Sequence, residues 1–305
     1  MKNILYIFDT DPWPSPFDIN VAYDVGFDVV VPFGGVKPDK SKSLVEDAMF
    51  SRGIDGSKKT KIFINGSSMD EVRELLDKVK KSMVPPFELS IFVDPRGGYT
   101  TGASIVAQVE NHLDRIGKSS INGLKVVVFG GTGPVGQVIA VLCAQANAEV
   151  LLLSRQQQKA EAICESLKKL YNVSIKAGEN GDDQQRIKHC EDKDIIFTAG
   201  TAGVELISLN VLKGLPKNKI LFDANAVPPL GIAGIDVFKK DKEHPQVPGL
   251  WYHGALSVGD IKLKVEYEAL KQCMNDTEHK IFDFRDFFQI ARKIYAEKKA
   301  KKSKN

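Results

Sequence analysis

A chain of 305 residues, 43% hydrophobic and 27% charged, is long enough for two ordinary domains with buried cores and has the make-up of a globular protein. Its net charge of +3 is too small to imply a nucleic-acid partner, and much of the excess sits in a basic tail at 299–305, expected to be a solvated helix end. No apolar run approaches the roughly 20 residues of a membrane span, and the scattered Cys143, Cys164, Cys190 and Cys273 make neither metal-binding pairs nor a disulfide framework, so without a signal peptide the expected address is the cytoplasm.

Short apolar runs alternate with amphipathic stretches from end to end, which predicts an α/β fold of parallel sheets covered by helices. The N-terminal third has strand patterns at Ile4–Phe8, Val29–Val31, Lys61–Ile64 and Leu89–Val93. Helix patterns at Pro16–Val25, Ser41–Phe50, Met69–Met83 and Thr101–Ile116 lie between and after them. In the first helix Ser15, Pro16 and Asp18 fit a cap, a first turn and an acidic cap partner. Phe17, Val21 and Val25 form one apolar stripe, and Gly26 closes the helix. A hydrophilic break from Gly117 to Gly123 marks the boundary between an N-terminal α/β domain, 1–119, and a second domain, 120–258.

The second domain has strand patterns at Lys125–Phe129, Glu149–Leu153, Ser174–Lys176, Asp194–Phe197 and Ile220–Asp223. Its helix patterns are Val135–Ala146, Gln157–Tyr171 and Asp182–His189. Two further helices, about Asp260–Met274 and Phe284–Lys298, make a segment 259–298 expected to pack back on the first domain.

The first strand of this domain runs into Gly131, Thr132, Gly133, Pro134, Val135 and Gly136, the pattern G-x-G-x-x-G. Alone the pattern is weak, but here a strand precedes it and a helix and second strand follow, the context of a Rossmann dinucleotide site. Gly131 suits the tight turn, Gly133 lets backbone approach a pyrophosphate, and Gly136 lets the helix pack on the sheet. Pro134 suits the first helical turn, and the free N–H groups of a helix start favour phosphate. The next strand ends in Ser154 and Arg155 where an NAD-binder usually has a carboxylate. A hydroxyl and a guanidinium there, with Lys159 one turn later, favour the 2′-phosphate of NADP over NAD. Thr198, Ala199 and Gly200 at a later strand end leave room for the nicotinamide ribose, and Asn225 is a candidate for its carboxamide; either stretch also reads as a simple turn.

Several longer strings now matter. They are Phe8-Asp9-Thr10-Asp11 with Ser15-Pro16-Phe17-Asp18, then Val84-Pro85-Pro86-Phe87, and Asp94-Pro95-Arg96-Gly97-Gly98-Tyr99-Thr100-Thr101-Gly102-Ala103. The stretch from Asn225 to Asp236, and Gly254-Ala255-Leu256-Ser257-Val258-Gly259-Asp260-Ile261-Lys262, complete the set. On these strings nearly the whole chain resembles the NAD(P)-dependent methylene-tetrahydromethanopterin dehydrogenases and their relatives that act on methylene-tetrahydrofolate in methylotrophs. The resemblance implies a two-domain subunit, a pterin site in the cleft, and a homo-oligomer, often a trimer or hexamer. Strings of both branches occur, so either pterin is open as the substrate.

The implied reaction moves a hydride from the methylene carbon to NADP, leaving a methenyl cation. The protein then contributes positioning and electrostatics rather than proton abstraction. The family pattern points to Lys262 as an active-site residue, although an ammonium beside a forming cation is unfavourable. Lys262 therefore either binds away from the cation or is held neutral by burial. Asp18 is the carboxylate candidate, with the cap-partner reading beside it. Ser15, Asp94, Thr100 and Thr101 are expected on the substrate side, Thr101 alternatively capping its helix. Tyr267 and Lys271 match Y-x-x-x-K but lie after the nucleotide-domain strands. His112, His189, His244, His253 and His279 show no metal spacing, so no metal is expected, and His253 reads as loop surface, with a place facing the cleft as the alternative. Two other readings stay open: a dehydrogenase of another small substrate, such as a shikimate-like acid, and a non-catalytic NADP-sensing protein.

Overall fold

The computed structural model describes residues 1–118 and 120–302, so Ser119 of the hydrophilic break and Ser303, Lys304 and Asn305 of the basic tail lie outside it. The chain divides into two compact units, Met1–Thr100 with Lys262–Asn305, and Thr101–Ile261. The first division falls at Thr100, where the hydrophilic break had placed it near 119.

The first unit runs β1 (Ile4–Asp9), α1 (Pro16–Val25), β2 (Val29–Phe33), α2 (Ser41–Phe50), α3 (Gly53–Ser57), β3 (Thr60–Asn65), α4 (Met69–Ser82) and β4 (Ser90–Val93), and leads into α5 (Gly98–Arg115). The second runs β5 (Lys125–Phe129), α6 (Pro134–Gln145), β6 (Glu149–Ser154), α7 (Gln157–Tyr171), β7 (Lys176–Glu179), α8 (Asp183–Cys190), β8 (Ile195–Thr198), α9 (Leu209–Lys213), β9 (Lys219–Asp223), β10 (Lys242–Glu243) and β11 (Leu250–His253). The chain then returns to the first unit through α10 (Gly259–Asn275), β12 (Ile281–Phe282) and α11 (Phe284–Lys302).

Among the described residues the first unit holds a five-stranded sheet in the order β12-β4-β3-β1-β2, with every pair parallel. The second holds a seven-stranded sheet in the order β10-β11-β9-β8-β5-β6-β7, parallel except at its β10 edge. Parallel strands buried on both faces read as unbroken apolar runs, and β3, β4 and β9 are buried at every residue. Each sheet reverses its strand order once, between β1 and β3 in the first unit and between β5 and β8 in the second. At such a reversal the loops leave in opposite directions and open a crevice at the carboxyl ends of the strands.

The core of the first unit is aromatic. Phe92 lies 4.9 Å from Phe63 and 4.9 Å from Phe287 of α11, ring centroid to ring centroid, and all three are fully buried. With β12 added in parallel beside β4, these contacts hold the C-terminal segment on the first unit. No helix among the described residues is long and apolar enough to cross a membrane.

Three local departures from the sequence pattern have physical causes. α5 begins at Gly98 rather than Thr101, because the Asp94 carboxylate accepts the N–H groups of Tyr99 (2.8 Å) and Thr100 (3.2 Å) and so caps the helix early. β7 runs over Lys176–Glu179 and includes Gly178, where a Cβ would meet Leu153 Cδ2 at 2.7 Å; the glycine that masks the strand pattern is needed for packing. The stripe of α1 is apolar only in part: Val21 and Val25 are buried, whereas Phe17 is 47% exposed.

Removing the ring at the centre of the aromatic stack leaves a cavity that its rigid neighbours cannot fill. Phe92→Ala is expected to cost about 3–5 kcal/mol of unfolding free energy, read from the shift in the urea midpoint at unchanged m-value.

Candidate active site

The carboxyl ends of β1, β3 and β4, at the strand-order reversal of the first unit, carry Asp9, Asn65 and Asp94. The first turn of α1 brings Asp18 beside them, held by two devices. Ser15 caps the helix by accepting the Asp18 N–H at 3.3 Å, and Asn65 Nδ2 donates to Asp18 Oδ2 at 2.7 Å. The Asn65 side-chain oxygen accepts from the backbone N–H of Gly66 (2.7 Å) and of Arg96 (2.8 Å), so one amide links three strand-end segments.

From α10 come Lys262 and Glu266, one helical turn apart, with Lys262 Nζ 2.5 Å from Glu266 Oε2. The ammonium lies 4.1 Å from the centre of the Phe17 ring. That contact explains why Phe17 leaves the core stripe: it covers a cation instead. On another side Lys262 approaches Gly97, where a Cβ would stand 3.3 Å from Nζ and where φ is +66°. Glycine at 97 thus serves both the left-handed backbone and the close approach of the lysine.

Electrostatics follows from the count among the described residues: three buried carboxyl groups, Asp18, Asp94 and Glu266, share one ammonium. Burial, then the charge of Asp94, pushes Asp18 up to about 6 against the pull of Lys262. Burial pushes Glu266 up to about 8, with Lys262 opposing and Asp94 and Asp18 adding to the rise. Asp94 is raised as well, chiefly by burial. Burial, with one ammonium too few to offset three carboxyls, makes the cluster retain protons at pH values where free carboxyls have lost them. A hydrogen bond between the Asp18 and Glu266 side chains also opposes the rise of Asp18.

Of the substrate-side residues expected from sequence, Asp94 and Thr100 are brought together but face inward. Thr100 Oγ1 donates to Asp94 Oδ2 at 2.6 Å, and the two are 0% and 1% exposed. Thr101 lies in the first turn of α5 rather than at its cap. Sequence reasoning missed Asn65, Glu266 and Arg96. Arg96 sits at φ +48°, donates from Nε to Asp11 Oδ2 at 2.7 Å and from Nη2 to the Trp13 carbonyl at 3.3 Å, and so ties the loop after β1 to the start of α5. Only the Asp-Pro-Arg-Gly-Gly string around Arg96 offered a signal. Tyr267 is partly exposed on α10 and donates to the Asp24 carbonyl at 2.7 Å, a structural contact.

In the second unit the glycine loop follows β5 at the strand-order reversal and opens α6. A Cβ on Gly136 would lie 2.7 Å from Gly131 Cα, and one on Gly131 would lie 2.4 Å from Leu152 Cγ. Nothing lies within 4 Å of a Cβ position on Gly133, which faces open space. No side chain caps the first turn of α6, so its N–H groups stay available. Ser154 is buried at the end of β6, Arg155 is exposed beside it, and Lys159 is exposed in the first turn of α7. Gly200, after β8, packs against Gly130, whose Cβ would lie 2.4 Å from Gly200 Cα. The small residues Ala199 and Gly200 thus let two strand-end loops touch. Thr198 Oγ1 donates to Asp223 Oδ1 at 2.8 Å. Asn225 accepts from Val227 N–H at 3.0 Å and donates to the Pro229 carbonyl at 3.1 Å, leaving its second amide N–H.

Residues 16–96 match the family described as methylene-tetrahydromethanopterin dehydrogenase, N-terminal. The chain is 34% identical over 294 residues to the NAD(P)-dependent methylenetetrahydromethanopterin dehydrogenase of Methylorubrum extorquens, covering 96% of this chain and 99% of that one. It is 36% identical over 293 residues to the bifunctional protein MdtA of the same organism, with the same coverage of 96% and 99%. Among solved structures, shikimate 5-dehydrogenase from Listeria monocytogenes, in complex with shikimate and NAD, aligns at a TM-score of 0.49 and 15% identity over 95% of this chain and 96% of that one.

The raised carboxyls carry a pH signature. The folded state holds protons that the unfolded chain releases between the ordinary carboxyl range and about 8 for Glu266, so stability falls as pH rises through that window. The loss is at most about 1.4 kcal/mol per pH unit for each such group. Glu266→Gln, which cannot ionise, is expected to flatten this decline between pH 5 and 8.5 in urea unfolding; identical slopes in both proteins would remove Glu266 as its source.

Proposed function

The chain belongs to the methylene-tetrahydromethanopterin dehydrogenase family, and on that premise we propose that it oxidises methylene-tetrahydromethanopterin by hydride transfer to NADP. The C–H bond at the methylene carbon breaks, its electron pair leaves with the hydride to the nicotinamide, and the methenyl-pterin cation and NADPH result. The observation that carries this reading is the cluster of Lys262 with Asp18, Asp94 and Glu266. An ammonium alone would oppose a cation forming nearby, but this one lies among three carboxyl groups. A site of that composition tolerates positive charge at the substrate and keeps a donor for a pterin carbonyl. Lys262 and Asp18 are the residues proposed to touch the pterin, with Ser15 at the same helix start. Asp94, Thr100 and Thr101 are proposed to set the start of α5 beneath them.

NADP, when bound, supplies the hydride acceptor. The residues of the glycine loop fit it: the bare Gly133 position and the uncapped start of α6 suit a pyrophosphate between Gly131 and Gly136. Thr132, Pro134 and Val135 complete that turn. Ser154, Arg155 and Lys159 are proposed to hold the 2′-phosphate, since no carboxylate stands there to bind a free ribose hydroxyl. Thr198, Ala199, Gly200 and the remaining N–H of Asn225 are proposed for the nicotinamide end.

NADPH formation followed by absorbance, with each methylene-pterin and either nicotinamide cofactor, tests the proposal. Turnover is expected with methylene-tetrahydromethanopterin and NADP; NADP binding without turnover on any methylene-pterin would overturn it. Arg155→Ala is expected to weaken NADP at least ~10-fold more than NAD, about 1.4 kcal/mol of selectivity, and equal losses would unseat the 2′-phosphate assignment. Lys262→Ala is expected to lower turnover roughly 100-fold, about 2.7 kcal/mol, with NADP affinity measured by fluorescence little changed.

A further inference from the structure

Away from the glycine loop, the second unit contains a cluster that neither the dehydrogenase reading nor the sequence pattern uses. His112, in the last turn of α5, places Nδ1 2.6 Å from Asp241 Oδ1, although the two residues are 129 positions apart. His253, at the end of β11, places Nε2 3.8 Å from the same oxygen. One ring nitrogen of each histidine and a carboxylate oxygen of Asp241 all lie within 4.8 Å of one another. The expectation that His253 is loop surface is wrong: it is fully buried, stacked on Phe222 at 5.5 Å with ring planes 7° apart and edge-on to His112 at 5.0 Å. His253 Nε2 nevertheless has no hydrogen-bond partner among the described residues. A buried ring nitrogen without a partner, aimed at a carboxylate and a second imidazole, calls for a ligand to satisfy it.

We propose that His112, Asp241 and His253 bind one divalent transition-metal ion of the zinc type, tying α5 to β11 and to the loop before β10. Two imidazoles and a carboxylate form a donor set for such ions rather than for calcium or magnesium, which take mostly oxygen. Four-coordinate zinc with nitrogen and oxygen ligands separates them by about 3.3 Å, derived from bond lengths near 2.0–2.1 Å. The two separations to Asp241, 2.6 and 3.8 Å, bracket that value and no pair exceeds 4.8 Å, so closing the set on one ion takes side-chain shifts of about an ångström.

The surroundings suit the role. Arg115 pairs with the other oxygen of Asp241, so Oδ1 faces only the two imidazoles between which the metal would sit. Gln108 Nε2 lies 3.1 Å from His253 Nδ1 and donates to Ser257 Oγ at 2.8 Å. A half-turn of its amide lets the oxygen accept from Nδ1–H, which turns the Nε2 lone pair toward the ion. His112 also lines a cavity of about 210 Å³ beside Trp251. Water is left as the fourth ligand.

The sequence offered no hint because the ligands are scattered, unlike the close pairs of a zinc finger. The untagged full-length protein, stripped with EDTA and desalted, is titrated with Co²⁺ as a visible-absorption probe and then with Zn²⁺ in competition. One Co²⁺ per chain is expected to give d–d bands of a four- or five-coordinate site, which Zn²⁺ abolishes while raising the melting temperature. His253→Gln and Asp241→Asn are expected to lose the bands. Gln108→Ala, which spares every ligand, is expected to keep the fold by circular dichroism and to weaken Co²⁺ at least ~10-fold. Absence of bands with Co²⁺ in excess, or bands unchanged in His253→Gln, overturns the proposal and leaves the cluster as a hydrogen-bonded latch of Arg115, Asp241 and His112.

Discussion

The first unit is organised around one ammonium group surrounded by carboxyls. Lys262 reaches that place only because the chain, after completing the second unit, returns through α10 and adds β12 and α11 to the first sheet. The aromatic contacts of Phe287 and Phe92 are therefore more than packing: they fix the helix that delivers the lysine and its partner Glu266. Asn65, Gly97 and the left-handed Arg96 do the same from the strand side. Their bonds set where Asp18 stands and how closely the backbone can approach Nζ.

The two units obey one topological rule and reach opposite chemistry by it. Both place a strand-order reversal at the carboxyl ends of parallel strands. In the second unit that position is filled by glycines and the uncapped start of α6, so it presents N–H groups and the positive end of a helix dipole. In the first it is filled by the buried Asp9, Asn65 and Asp94, whose oxygens are largely taken up by neighbouring N–H and O–H groups, and the charge there is that of carboxyls around one ammonium. This contrast is the physical basis for proposing the nucleotide at the former and the substrate that becomes cationic at the latter.

What could be read from sequence divides along physical lines. The strands, the glycine loop and most helices were legible because local periodicity and turn chemistry produce them. Asp18 was legible as a cap partner, and Lys262 through resemblance. Glu266 was not, because an acid one turn after a lysine on a helix is ordinarily a solvated pair; only the fold shows that it is buried. Asn65 looked like a strand end, and its three hydrogen bonds join segments remote in sequence. Phe17 was placed in the core by its spacing, yet a cation on another element holds it at the surface. The cluster of His112, Asp241 and His253 failed for the same reason: burial and convergence are tertiary facts.

The lysine that seemed out of place in a cation-forming reaction is explained by its company. With one ammonium and three buried carboxyls, the charge of the cluster follows its proton count rather than the lysine alone. Under the proposed assignment, a cation forming beside this cluster would meet partly protonated acids that can release a proton to solvent and become more negative, or keep it and remain neutral. Either way Lys262 remains a hydrogen-bond donor without imposing a net positive field. Under that assignment Glu266 is the residue that would reconcile a lysine donor with a cationic product.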